Sequence, residues 1–177
     1  MTVQLCDIDK SNFYQVLDMR RPEGEEYVAP NSVSLAEAWL YGDEHTVHPF
    51  AIYDDDALVG FAMTHDDCNQ RICHVWRILI PEEYVNHGYG SRTLELLAQK
   101  AKAAGMVRLR LSYVPGNAMA EHVYVKAGFT ATGEIDDGEI VMERFLLESS
   151  DAFGLIEKRL GDDSGTTDID DIDWDTL

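Results

Sequence analysis

Gly88 and Gly90 lie in Pro81-Glu82-Glu83-Tyr84-Val85-Asn86-His87-Gly88-Tyr89-Gly90, between the apolar run Ile78-Leu79-Ile80 and a helical pattern that opens at Ser91. Backbone N–H groups at a helix start lack partners inside the helix, and the macrodipole is positive there. A glycine loop at that point can therefore bring main-chain amides against a phosphate or pyrophosphate. The competing reading of a single Gly-x-Gly is a tight turn with unusual backbone angles. A dinucleotide fingerprint fits poorly, since Thr93 fills its third glycine position, and the Gly-Lys-Ser/Thr ending of a P-loop is missing.

A second group of residues is Asn117-x-x-Ala120-x-x-x-Tyr124-x-Lys126-x-Gly128-Phe129. Asn117 is an N-cap type whose amide also suits a ligand lying ahead of the helix, and Tyr124 follows two turns later on the same face. A tyrosine there is ordinarily a core or rim residue. Its chemical alternative is a general acid, because a phenol with a pKa of about 10 stays protonated at neutral pH and can donate to a departing thiolate. His65-x-x-Cys68-x-x-x-x-Cys73-His74 raises a metal site, but the spacing matches no common zinc motif. Adjacent strand residues Cys73 and His74 also point to opposite faces, so no metal is expected.

The elements that position these residues follow from apolar periodicity. Thr2–Asp7 alternates as a strand. Ser11 to Arg20 reads as a helix capped by Ser11, and Ser34-Leu35-Ala36-Glu37 has capping-box spacing for a second, carrying Leu35, Ala38 and Trp39. His48–Tyr53 and Leu58–His65 form a hairpin across Asp54-Asp55-Asp56, and Ile72–Ile80 is the longest strand. Arg77 in its middle calls for an acidic partner. The helix from Ser91 to about Ala104 stripes Leu94, Leu97, Ala98 and Ala101 on one face and ends at Gly105. The strand Val107–Tyr113, a helix Asn117–Ala127 and a hairpin around Asp136-Asp137-Gly138 complete the order β α α β β β α β α β β, a mixed α/β sheet.

The 177 residues carry 14 Lys+Arg against 33 Asp+Glu, a formal net charge of -19. Such a surface argues against a general nucleic-acid binder and suits cationic small molecules or basic partners. No run has the ~18–20 apolar residues of a membrane span, no signal-peptide pattern opens the chain, and three cysteines are too few for a disulfide framework. A cytoplasmic protein is expected. The boundary falls near Leu147: residues 1–147 are the domain, and 148–177, with ten acids against Lys158 and Arg159, form an acidic extension that is partly disordered or docking. Phe153, Ile156 and an exposed terminal strand fit a homodimer.

Tyr84 to Gly90, the helix after it, the strand Leu109-Arg110-Leu111-Ser112-Tyr113 and the Asn117–Phe129 block together resemble the acetyl-CoA-binding core of the GNAT superfamily of N-acyltransferases. Leu111 to Asn117 and Thr132 to Met142 are similar to its spermine/spermidine (diamine) acetyltransferase branch. The resemblance implies an α/β (α+β) fold: a mixed, mostly antiparallel sheet of about seven strands flanked by about four helices, splayed between the fourth and fifth strands. It implies acetyl-CoA as co-substrate, with Ile78, Leu79 and Ile80 along the pantetheine arm. Val85, Asn86, His87, Gly88, Tyr89, Gly90 and Ser91 would lie on the pyrophosphate, Asn117 on the pantetheine, Lys126 near the nucleotide phosphate and Tyr124 at the thiolate. The family usually has Gln or Arg, then Gly or Arg, where this chain has Val85 and Asn86.

That chemistry needs no covalent enzyme intermediate: an amine attacks the thioester, a strand N–H near Leu79 or Ile80 holds the oxyanion, and Tyr124 protonates the sulfur. Glu25 and Glu26 in the first interhelical loop, Glu37, and Asp66 or Asp67 are candidate groups for a cationic amine, and Trp39 a candidate wall for its pocket. Each acid taken singly reads as a surface charge. The proton acceptor is left open. So is the amine: a polyamine, an aminoglycoside, an amino acid or a protein amine. A non-catalytic acyl-CoA-binding module, or an interaction protein working through its acidic tail, are the readings from other classes.

Overall fold

The computed structural model describes residues 2–21 and 28–146. Seven strands and four helices run β1 (Val3–Asp7), α1 (Phe13–Asp18), α2 (Asn31–Leu40), β2 (Val47–Asp54), β3 (Ala57–Asp67), β4 (Ile72–Leu79), α3 (Tyr89–Ala103), β5 (Arg108–Tyr113), α4 (Ala118–Lys126), β6 (Thr130–Asp136) and β7 (Glu139–Phe145). They form one sheet in the order β1-β2-β3-β4-β5-β7-β6, antiparallel except for β4 and β5. Element order, strand count and helix count agree with the sequence reading.

The feature that makes the site is the break between β4 and β5. Their pairing consists of Ile72 with Arg108, Cys73 with Leu109 and His74 with Arg110, and stops there, although β4 continues to Leu79 and β5 to Tyr113. The cause lies on the other edge of β4. Met63 pairs with Arg77 and Thr64 with Val75, so Trp76 is an extra residue, and a bulge of this kind adds twist and bends its strand. The bend begins two residues after the last β4–β5 pair, and the strands diverge.

Apolar side chains of the sheet bury on both faces. On one, Leu94, Leu97, Ala98 and Ala101 of α3 pack with Ile52, Ala62, Cys73, Val75, Leu109, Leu111 and Met142. On the other, Val16 of α1 and Leu35 and Ala38 of α2 pack with Ala51, Phe61, Met63 and Leu79. The bulge puts Trp76 and Arg77 both on the α2 side, which brings Arg77 to Glu37 of α2 at 3.4 Å, the acidic partner its position required.

Both helix starts in this layer differ from the sequence reading. Asn12, not Ser11, precedes α1; Ser11 instead donates its hydroxyl and its N–H to Asp9, while Asn12 ties back to Asp9 N–H and Asp7 C=O. α2 starts at Asn31, after Pro30, and its first turn closes on the Pro30 carbonyl. Asn31, fully buried, donates to Val16 C=O at 2.8 Å, so a tie to α1 fixes the entry three residues before the Ser34 capping box. Ser34 is consequently buried inside the helix, and Trp39, expected on its packed face, is 83% exposed.

Candidate active site

The start of α3 is built from backbone. Asn86 (φ 63°) and Gly88 (φ 84°) both sit in the left-handed region, which asparagine tolerates better than most residues and glycine enters freely. Asn86 thus keeps the turn open to the chain in spite of its departure from the family pattern, while Val85 offers no side-chain donor. Arg92 is the first residue whose N–H closes onto the helix, reaching Gly88 C=O at 3.1 Å. The amides of Tyr89, Gly90 and Ser91 therefore have no acceptor within α3, and the first turn holds no acid to compete for them. The Tyr89 hydroxyl donates to Asp54 at 2.9 Å, anchoring this turn to the end of β2.

Gly90 is a different case. A Cβ there would meet only Val123 of α4, at an ordinary 3.8 Å, and its φ is not positive. Neither packing nor backbone angle demands it, and the main chain at Gly90 is open to close approach from the cleft.

The divergence of β4 and β5 opens a cleft of ≈ 1840 Å³ that reaches from this loop to the β6–β7 hairpin. Ile78, Leu79, Ile80, Val85, Asn86, Gly88, Tyr89, Gly90, Ser91, Asn117, Tyr124 and Lys126 all line it. Beyond His74, the β4 edge that faced β5 carries no strand among the described residues, so its alternate N–H and C=O groups face the cleft. Across it, Asn117 caps α4 as expected, its Oδ1 accepting from Ala120 N–H at 3.1 Å, which leaves its NH₂ group for another acceptor. Tyr124 is half-buried between Tyr113 (6.0 Å between ring centroids) and Phe129 (6.2 Å). Burial first, and the Glu139 carboxylate second, push its phenol up to about 12.

The remaining sequence candidates are placed elsewhere. His87 is not in the cleft lining; its ring stacks on Tyr89 and its Nδ1 lies 2.9 Å from Val85 O. Glu37 is engaged by Arg77, and Trp39 stands with Val33 and Leu40 on the outer face of α2, by a separate shallow groove. Glu25, Glu26 and the 148–177 extension lie outside the described residues. Cys73 points into the α3 core and His74 into the cleft, and no cluster of three or more metal-ligating side chains forms among the described residues. No helix of the described residues is long and apolar enough to cross a membrane.

The cleft also holds polar side chains to which sequence reasoning gave no role. His74, Arg110, Ser112 and Glu139 line it, with Ser112 donating to Glu139 and Arg110 bound to Glu134 and to Glu143 at 3.2 Å. Their signal was parity: His74 shares a strand face with Trp76, and Arg110 with Ser112, on the side away from the α3 core.

The sequence over residues 10–129 matches the family model described as Acetyltransferase (GNAT) family. The chain belongs to this family. It is an acyltransferase that uses acetyl-CoA as co-substrate. No curated protein matches the sequence. GNAT structures similar to it include spermidine N-acetyltransferase from Vibrio cholerae in complex with CoA and spermine (13% identity, TM-score 0.68, covering 82% of this chain and 96% of that one). An aminoglycoside acetyltransferase in complex with coenzyme A is 16% identical with a TM-score of 0.69, covering 81% and 95%. A Salmonella typhimurium acetyltransferase that modifies the N-terminal serine of ribosomal protein L7/L12 is 14% identical with a TM-score of 0.66, covering 82% and 95%. At these identities the likeness is one of fold, and the three differ in what they acetylate.

Proposed function

We propose that this GNAT protein transfers the acetyl group of acetyl-CoA directly to a primary amine of a small cationic molecule, a polyamine such as spermine or spermidine. The observation that carries the reading is the run of amides at Tyr89, Gly90 and Ser91 that have no acceptor within α3, one of them on a glycine that neither packing nor backbone angle requires. These amides take the coenzyme diphosphate, with Val85 to Gly88 shaping the approach. The pantetheine arm bonds along the unpaired edge of β4 at Ile78 to Ile80, as an extended peptide adds to a sheet edge, and meets the Asn117 amide opposite. Lys126 lies toward the nucleotide phosphate.

The acetyl carbon then faces Tyr124. An amine attacks it, a β4 N–H near Leu79 or Ile80 holds the oxyanion, and the C–S bond breaks as the Tyr124 phenol gives its proton to sulfur. A phenol held near 12 remains protonated at physiological pH, as that role requires. Support for a polycation comes from the overall charge of -19 and from the carboxylates of Glu134, Asp136 and Glu139 in the cleft lining. The test is thiol release from acetyl-CoA across spermine, spermidine, an aminoglycoside, free amino acids and an N-terminal peptide. Turnover is expected with the polyamines; calorimetric binding of acetyl-CoA without transfer to any amine would refute the transferase.

A further inference from the structure

An amine presented to a thioester arrives as an ammonium ion and must lose a proton before its lone pair can attack, so the cleft needs an acceptor that is unprotonated at physiological pH, basic enough to take the proton, and on the amine's side. Most ionisable groups there fail one condition. Arg110 is permanently charged and held by Glu134 and Glu143. Glu139 accepts the Ser112 hydroxyl and stands beside Tyr124, the acid of the reaction. Asp67 accepts from the Asn69 and Gln70 N–H groups, which keep its carboxyl below the usual range and make it a weak base.

His74 meets these conditions. It forms the last pair between β4 and β5, with Arg110, so its ring stands at the vertex from which the cleft opens. It shares a strand face with Trp76, on the side away from the α3 core and therefore opposite the face on which Cys73 and Val75 are buried. Four charged or titratable groups act on it from β3, β5 and, one strand further, β7. His65 of β3 (5.9 Å between ring centroids) and Arg110 of β5 disfavour the imidazolium; Asp67 of β3 and Glu143 of β7 favour it. Burial is the largest influence, and the balance holds His74 below the ordinary value of 6.5.

We infer that His74 is the general base of the reaction, taking the proton of the substrate ammonium at the vertex of the β4–β5 split, directly or across one water. The inference rests on the amine-transferase reading above. His74 takes H⁺ from R–NH₃⁺, leaving R–NH₂ and an imidazolium that later returns the proton to solvent. The nitrogen lone pair forms the C–N bond as the carbonyl pair moves to oxygen. Collapse restores C=O and breaks C–S; Tyr124 gives its proton to sulfur and regains one from the surplus proton on nitrogen. The sum is an amide, a thiol and one released H⁺.

Two measurements test it. In the first, the ring signals of the six histidines are followed by NMR against pH in the full-length protein, with His74→Gln assigning the resonance. His74 is expected to titrate below its ordinary value; a ring that is still mainly protonated at physiological pH overturns the inference whether or not any amine is acetylated. In the second, kcat/KM for spermine is measured against pH. The wild type should lose activity on acidification with the same midpoint as the His74 signal, because the imidazolium cannot accept a proton. His74→Gln should lose ~10²-fold and that acid limb, with acetyl-CoA affinity unchanged, and His74→Glu, which supplies another base, should recover at least ~10-fold. A His74→Gln enzyme with wild-type turnover and an intact acid limb contradicts the assignment. Absence of transfer to every amine, with His74 titrating low and acetyl-CoA bound, defeats the transferase reading and this inference with it.

Discussion

Single residues in this cleft separate binding from chemistry. Tyr124→Phe removes one oxygen from a ring packed on both sides, so acetyl-CoA affinity should hold while kcat falls ~10²–10⁴-fold under conditions where chemistry limits turnover. Because burial and Glu139 raise the phenol, the ionisation that would silence it lies near 12, and kcat should show no loss from Tyr124 between pH 8 and about 10. The two glycines make a contrasting pair. Gly88→Ala forces a Cβ into the left-handed region at φ 84° and should destabilise the fold by roughly 1–2 kcal/mol, visible in a denaturant titration. Gly90→Ala has 3.8 Å of room and ordinary angles, so the same titration should not move, while calorimetry should show weaker acetyl-CoA binding. Unchanged affinity in Gly90→Ala would mean that the coenzyme does not approach the main chain there.

At the scale of elements, the cleft exists because β4 bends, and past the bend its last residues pack closely against the first half of β3. A Cβ on Gly60 would lie 2.7 Å from Ile80 Cδ1 and 2.9 Å from the Leu79 carbonyl oxygen, a backbone atom that cannot swing aside. Gly60→Ala should therefore destabilise by about 1–3 kcal/mol and also raise the KM for acetyl-CoA, since the displaced segment is the edge assigned to the pantetheine arm. Leu97→Ala, within the α3 core and remote from that edge, should cost ~2–5 kcal/mol in chemical unfolding without the KM effect. These elements are also where sequence legibility divides. The helix from Ser91, the Asp136-Asp137-Gly138 hairpin and the Asn117 cap were readable because their signals are local: a 3.6-residue stripe, a turn with two positive φ angles, and a capping side chain. The entry to α2 was not, because Asn31 is held by a carbonyl fifteen residues away. Nor was the bulge at Trp76, which depends on the register with β3 and sets Arg77 against Glu37. The loop and Tyr124 could be named from their spacing, while His74 acquired a role only once the strands were seen to part beside it.

For the whole molecule, charge is the governing property. A net of -19 attracts a polycation and repels the anionic coenzyme over distances set by screening. Raising ionic strength from about 0.01 M to about 1 M shortens the Debye length from roughly 30 Å to roughly 3 Å. The KM for spermine should then rise and that for acetyl-CoA fall, a pair of opposite trends in steady-state kinetics that a neutral acceptor would not produce. The long-range field and the local site are thus of opposite sign at the start of α3, where the helix dipole and amides without an acceptor in the helix face outward from an acidic body.

The most direct measurement is a crystal structure with bound acetyl-CoA. The expected result is the diphosphate within about 3 Å of the Tyr89, Gly90 and Ser91 amides, the pantetheine along Ile78 to Ile80, and the sulfur facing the Tyr124 hydroxyl. A coenzyme bound outside the β4–β5 cleft, or held there without touching those amides, would contradict it.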